Sequence, residues 1–321
     1  MKNVLVVMPF QDSHKRYIES IGRDCSFTYT TIADATPEQV AAADVIFGNA
    51  DPALVAQSRK LRWLQLNSAG TDPYCNPGII KPGTILTNAT GAYGLTVSEG
   101  MIAMTYMLCR KMDLYLRNQV NHRWNTEGSV TSVWNSTTLV IGLGDIGSEY
   151  AARMKALGSH VVGVRKRVAM KPDCVDEIYG MDQLDELLPR ADFVAMVLPS
   201  TAQTHHIMDE RRMRLMKKGA YLINCGRGDA VDCDALNKLL REGNTLGGAA
   251  LDVTEPEPLP AEHPLWDAPR CIITPHASGN FFLQETFERI VRITGENLEK
   301  FLAGDTEHMK NQVDLVSGYR K

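Results

Sequence analysis

The chain has no Cys-x-x-Cys pair, no basic excess, no low-complexity tract and no apolar run long enough to cross a membrane. Each absence removes a class. The seven cysteines (Cys25, Cys75, Cys109, Cys174, Cys225, Cys233, Cys271) are odd in number and scattered, which excludes a disulfide framework and a zinc ribbon. Reduced thiols, and hence a cytoplasmic location, are the expectation. With 34 Lys+Arg against 38 Asp+Glu, general phosphate-backbone binding is not expected, because neutralising phosphates needs basic excess. The apolar start Val4–Phe10 is too short for a span and lacks a small-residue cleavage site; it reads as a buried first strand. No membrane or nucleic-acid partner is expected.

What remains is ordinary globular composition: 44% hydrophobic and 22% charged over 321 residues. At roughly 150 residues per domain, two domains are expected. Short apolar runs at 4–8, 45–48, 63–66 and 85–88 read as strands buried on both faces. A second series follows at 139–141, 160–164, 193–198, 221–224, 248–251 and 272–274, with helical stretches at 148–157, 181–188 and 232–241 between them. Strand and helix in alternation predict parallel α/β sheets, and two series predict two of them. A proline-free pattern predicts one long helix from Thr96 to about Val120, capped by Thr96 or Ser98. Near the end, Phe287, Ile290, Val291, Thr294, Leu298, Phe301 and Leu302 share one helical face, which could pack on either domain.

Thr138-Leu139-Val140-Ile141 runs into Gly142-Leu143-Gly144-Asp145-Ile146-Gly147 and then into a helical stretch. This is the dinucleotide fingerprint in its required strand–turn–helix setting. Gly142 permits the turn, Gly144 lets backbone approach a pyrophosphate, and Gly147 lets helix and strand pack closely. The next strand ends in Arg165-Lys166-Arg167, where an acid would normally hold the adenosine ribose about 20 residues after the first glycine. Three cations there suit a 2′-phosphate, so NADP(H) is favoured and NAD(H) stays possible; the alternative is a solvated basic turn.

Further motifs follow in order: Leu198-Pro199-Ser200-Thr201, Ile223-Asn224-Cys225-Gly226-Arg227-Gly228, Ala250 to Pro260 (ALDVTEPEPLP), and Thr274-Pro275-His276-Ala277-Ser278-Gly279. Together with the glycine turn they resemble the D-isomer-specific 2-hydroxyacid dehydrogenase family over nearly the whole chain, nearest to its glyoxylate/hydroxypyruvate reductase branch. The resemblance implies two Rossmann/flavodoxin-like parallel-sheet domains, the NAD(P)-binding domain (99–286) inserted in a substrate domain (1–98 and 287–321). It implies a homodimer and closure of the domains over substrate. It also places the catalytic arginine, glutamate and histidine on Arg227, Glu257 and His276.

Each assignment makes chemical sense. A guanidinium at a strand end can hold a carboxylate through its fork of donors. An imidazole titrates near neutrality, as a proton donor should. Glu257 would orient that ring and favour imidazolium; Glu255, among the same prolines, reads as a solvated loop acid. Asp252 matches the family residue near the nicotinamide carboxamide, with a strand-end cap as the alternative. Leu198, Pro199, Cys225, Gly226, His276, Ser278 and Gly279 complete the expected cofactor contacts, Cys225 through packing. In the first domain Ser68-Ala69-Gly70 follows a strand and resembles the family's substrate loop, whose amides would grip a carboxylate together with Arg227 and His276. Asn135 stands where the family often has Gly, and tolerates a left-handed backbone. Phe281 and Phe282 are expected to narrow the substrate site. His205 and His206 are set aside with the remaining histidines, because adjacent side chains point apart on a helix or strand. No metal is expected.

The reading is thus an oxidoreductase reducing a small glyoxylate- or hydroxypyruvate-like 2-keto acid to the D-2-hydroxy acid. Alternatives are a nucleotide-sensing corepressor-like protein on the same fold, a family dehydrogenase of another substrate using NAD, and a methyltransferase. The last would want an acid where Arg165 stands. A phosphoglycerate dehydrogenase with a regulatory extension is disfavoured, since no further domain follows before Lys321.

Overall fold

A computed structural model describes residues 1–168 and 170–315. They divide into two compact units: Met1–Tyr93 with the segment from Phe281 onward, and the continuous stretch Gly94–Asn280. Each holds one parallel sheet.

The first unit contains β1 (Lys2–Val6), α1 (Asp12–Ile21), β2 (Cys25–Tyr29), α2 (Pro37–Ala42), β3 (Val45–Phe47), α3 (Pro52–Gln57), β4 (Trp63–Gln65) and β5 (Ile85–Thr87). Its strand order is β2-β1-β3-β4-β5, all parallel. Val45, Ile46 and Phe47 are fully buried, as a central parallel strand covered on both faces requires. β2 escapes a search for apolar runs because it is an edge strand. Its Cys-Ser-Phe-Thr-Tyr alternates half-buried and exposed positions.

The second unit contains α4 (Gly94–Cys109), α5 (Met112–Val120), β6 (Thr137–Ile141), α6 (Asp145–Ala156), β7 (His160–Val164), β8 (Glu177–Tyr179), α7 (Leu184–Leu187), β9 (Phe193–Met196), α8 (Glu210–Leu215), β10 (Ala220–Asn224), α9 (Cys233–Glu242), β11 (Leu246–Leu251) and β12 (Cys271–Ile273). The parallel order is β12-β11-β10-β9-β6-β7-β8. The order reverses between β6 and β9, and ligands of such sheets bind outside the carboxyl ends at that switch point.

The expected single helix over 96–120 is two helices. The first begins at Gly94, and Lys111 breaks the run with φ 57°. Carbonyls of its last turn are taken by distant groups: Thr131 N–H donates to Cys109 O at 3.0 Å, and the Arg270 guanidinium to Leu108 O. Asn135 has φ 60°, the left-handed conformation expected of it. The chain then returns to the first unit as α10 (Gln284–Leu302), burying Phe287, Ile290, Val291, Thr294, Leu298 and Phe301. A buried polar network fastens it. Asn297 Nδ2 donates to Gln65 Oε1 (2.9 Å), which also accepts from Thr87 Oγ1 (2.8 Å). Thr87 Oγ1 in turn accepts from Trp63 Nε1 at 2.8 Å.

At the β8 edge Glu177 accepts hydrogen bonds from Tyr179, His160 (2.6 Å) and Arg190 (2.6 Å). The Tyr179 hydroxyl first, then His160 and Arg190, hold its carboxyl down to about 2. A depressed folded value contributes stability above the ordinary carboxylate range, lost as pH falls through the folded value. Thermal denaturation between pH 5 and 2 should therefore show a stability loss that Glu177→Gln reduces. The group is partly solvated, so the difference should be about 1 kcal/mol or less.

Candidate active site at the carboxyl edge of the seven-stranded sheet

Strand β6 ends in the glycine turn, and its three glycines are not interchangeable. Gly142 has φ 102°, and a Cβ there would lie 2.5 Å from the Val197 carbonyl oxygen. A Cβ on Gly147 would strike the Gly142 carbonyl. Gly144 faces open space, with nothing within 4 Å of an added Cβ. A turn, a close helix–strand contact and an uncovered backbone are what the fingerprint needs to seat a pyrophosphate. Helix α6 starts from Gly144 with no side-chain cap, so its first amides and dipole face that open side. Leu143 packs against Gly163. Ile146 is half-buried in the first turn of α6. The Asp145 carboxylate accepts from Gly94 N–H at 2.8 Å, tying the turn to the start of α4.

β7 runs out into Arg165, Lys166 and Arg167. Arg165 is half-buried and the other two are exposed. Among the described residues no carboxylate forms an ion pair with any of the three. The strand thus ends in uncompensated positive charge.

The three neighbouring strands β10, β11 and β12 each deliver one part of the remaining constellation. After β10, Asn224 shapes the tip. Its Oδ1 accepts from Gly226 N–H (3.1 Å) and its Nδ2 donates to Arg227 O (2.9 Å). Gly226 lies against the backbone of Leu198, where a Cβ would come within 2.6 Å of its N and O, which joins this tip to the segment Leu198-Pro199 after β9. Gly228 lies against the Thr254 backbone, beside the loop that carries Glu257. Arg227 is half-buried, its Nη1 donating to Gly226 O at 2.9 Å. Cys225 is buried beside Met104, and burial pushes its thiol far up, so it packs and does not react.

After β12, His276 has φ 51° and its Nδ1 lies 2.7 Å from Glu257 Oε1. Both side chains are about half exposed. The structure therefore brings this pair together, with Nε2 as the ring's other face. What holds the strained histidine is Asp252, which is 3% exposed. Its backbone oxygen accepts from His276 N–H (2.7 Å). Its carboxylate accepts from Thr274 Oγ1 (2.6 Å), Ala277 N–H (2.9 Å) and Ser278 N–H (3.2 Å). Asp252 thus clamps residues 274–278, and Gly279 follows directly. This is the strand-end capping expected as the alternative for Asp252, reaching the loop after β12.

In the first unit, Ser68-Ala69-Gly70 follows β4. Asn49 Nδ2 donates to Ser68 Oγ (3.0 Å), Ser68 Oγ donates to Gly70 O (2.7 Å), and Asn88 Nδ2 donates to Ala69 O (2.7 Å). Among the described residues the amides of these three residues donate to nothing, while their carbonyls are occupied. That is the electrostatic character of an anion nest. Phe281 packs on Phe287 at 5.3 Å between centroids, while Phe282 is 85% exposed.

Two expectations are corrected. His205 and His206 do not point apart: His206 takes φ 46°, and the rings stack at 4.0 Å. Glu255 is not merely a solvated acid, since its Oε2 lies 2.7 Å from His206 Nε2. Neither feature has a sequence signal beyond adjacency, because a single left-handed residue reverses the usual alternation.

The model of the D-isomer specific 2-hydroxyacid dehydrogenase NAD binding domain matches residues 102–278. A glyoxylate reductase of Thermofilum pendens is 31% identical over 260 residues, 79% of this chain and 76% of that one. A glyoxylate/hydroxypyruvate reductase B of Pectobacterium carotovorum subsp. carotovorum is 30% identical over 298 residues, covering 88% and 91%. A solved D-isomer specific 2-hydroxyacid dehydrogenase family protein from Aeromonas salmonicida subsp. salmonicida superposes with a TM-score of 0.85 at 29% identity, over 98% of this chain and 99% of that one.

Proposed function

Because the chain belongs to the D-isomer specific 2-hydroxyacid dehydrogenase family of NAD(P)-dependent oxidoreductases, we propose that it reduces a small glyoxylate- or hydroxypyruvate-like 2-keto acid to the D-2-hydroxy acid, with NADPH favoured. The observation that carries the reaction is the His276–Glu257 pair at 2.7 Å, held by Asp252 on the sheet that bears the glycine turn. The bound dihydronicotinamide supplies the hydride; this chain supplies the rest. His276 donates a proton to the carbonyl oxygen, with Glu257 fixing the ring. Arg227 holds the substrate carboxylate and draws charge from the adjacent carbonyl. The amides of Ser68-Ala69-Gly70 offer a carboxylate nest of their own on the first unit. Absence of the arginine, glutamate or histidine would favour a nucleotide-sensing protein without chemistry; Arg227, Glu257 and His276 are all present.

NADPH preference rests on Arg165, Lys166 and Arg167. A 2′-phosphate there gains charge-assisted hydrogen bonds of about 1.5–3 kcal/mol each. Arg165→Asp with Lys166→Ser should weaken NADPH by about 100-fold or more and leave NADH nearly unchanged. Cofactor fluorescence titration of both proteins, followed by a panel of 2-keto acids, tests the proposal. Equal NADH and NADPH affinity in the unaltered protein would sink the phosphate role.

The homodimer is assigned to the second unit. No side chain of α5 is buried, and Met112, Leu116 and Val120 are exposed with Trp124 and Trp134 beyond them. Such an apolar strip fits a second copy of itself. All seven cysteines are unpaired, which supports a reducing, cytoplasmic setting. Among the described residues no helix is long and apolar enough to cross a membrane.

A further inference from the structure

His205, His206 and Glu255 take no part in the chemistry above, yet they converge. They come from two connections at the carboxyl edge of the second sheet, the turn after β9 and the loop after β11. The turn is built so that both imidazoles face one way. Thr204 Oγ1 donates to Pro199 O (2.6 Å) and accepts from Thr201 N–H (2.9 Å). His205 N–H reaches Thr201 O at 3.0 Å, and His206 N–H reaches Asp229 O at 2.7 Å. The two rings are then stacked 21° from parallel. Both Nε2 atoms face the same carboxylate: His205 Nε2 is 3.6 Å from Glu255 Oε1, and His206 Nε2 is 2.7 Å from Glu255 Oε2.

We propose that these three side chains form a binding site for a borderline divalent cation of the zinc, nickel or copper class. The donor set is two neutral imidazoles and one carboxylate, a recurring three-ligand zinc set that leaves a fourth position for water. Imidazole selects these metals over magnesium or calcium, which take oxygen ligands. The geometry is close to what coordination requires. Tetrahedral bonds of about 2.0–2.1 Å put ligand atoms about 3.3 Å apart. The separations of 2.7 and 3.6 Å straddle that value, and one donor atom from each of the three residues lies within 4.8 Å of the others. Closing on a metal requires the two stacked rings to turn until their Nε2 lone pairs converge, with the Nδ1–H tautomer in each ring. Side-chain exposures of 52%, 39% and 40% leave a path for entry and room for water. A bound ion would tie the turn after β9 to the loop after β11. It touches no group assigned to hydride or proton transfer, so turnover does not require it.

Metal-free full-length protein titrated with Zn²⁺ and Ni²⁺ by calorimetry should bind one ion per chain, and Zn²⁺ should raise the melting temperature. His205→Ala and Glu255→Gln, each checked for native circular dichroism, should weaken binding at least as much as the ~10–100-fold that loss of an outer-sphere partner costs, and abolish the thermal shift. His276→Ala should bind as the unaltered protein does, because its pair with Glu257 is a separate cluster. Unchanged affinity in both His205→Ala and Glu255→Gln, or loss of binding in His276→Ala alone, would overturn the site.

Discussion

Replacing His276 with alanine should lower turnover with a 2-keto acid by about 10²- to 10⁴-fold while NADPH binding stays near its original strength. The reason is the division of labour along the sheet edge. Cofactor affinity is assigned to the glycine turn after β6 and the cations after β7, and neither touches His276. The ring's Nδ1 faces the Glu257 carboxylate at 2.7 Å, so Glu257 occupies Nδ1 and leaves Nε2 to serve the substrate. General acid catalysis of this kind supplies about 10²–10⁴ in rate, or roughly 3–5 kcal/mol of barrier. Glu257→Gln should cost less, because the amide oxygen can still accept from Nδ1 and keep the ring in place. Asp252 separates position from chemistry. Removing its carboxylate frees Thr274, Ala277 and Ser278, so Asp252→Ala should lower turnover with His276 intact. Steady-state kinetics beside fluorescence titration of NADPH check all three. Normal turnover in His276→Ala would overturn the proton-donor assignment.

Much of this site could be read from the sequence, for a physical reason. Parallel strands buried on both faces are written as continuous apolar runs, and their carboxyl ends are followed by glycine turns that only a few sequences satisfy. Gly142, Gly144 and Gly147 carry three distinct geometric demands, and the structure shows each at its place. What escaped was set by tertiary context. β2 and β8 are edge strands whose side chains are only partly buried, so their apolar signal is weak. At the helix break by Lys111, carbonyls left open at the helix end are satisfied by Thr131 and Arg270, which are distant in sequence. The cap by Asp252 was legible as a role but not in its partners, which lie more than twenty positions away. His206 escaped because a left-handed non-glycine residue has no compositional marker.

Arg227→Ala should reduce kcat/KM for the keto acid by about 10²–10³, the cost of losing one preorganised donor group at a developing oxyanion. The loss should divide between the two constants. Holding the carboxylate helps ground state and transition state alike and appears in KM; drawing charge from the carbonyl helps only the transition state and appears in kcat. The substitution leaves the tip standing, because its shape comes from backbone and neighbours. Asn224 holds Gly226 N–H and Arg227 O, and Gly226 and Gly228 lie against Leu198 and Thr254. Arg227→Lys separates charge from geometry. A lysine keeps the positive charge but presents no planar fork, so its activity should fall between those of arginine and alanine. A substrate with its carboxylate esterified sharpens the test. The ester should already react poorly with the unaltered protein and lose far less than the free acid when Arg227 is removed. If acid and ester lost the same factor, Arg227 would act on the carbonyl alone and would not hold the carboxylate.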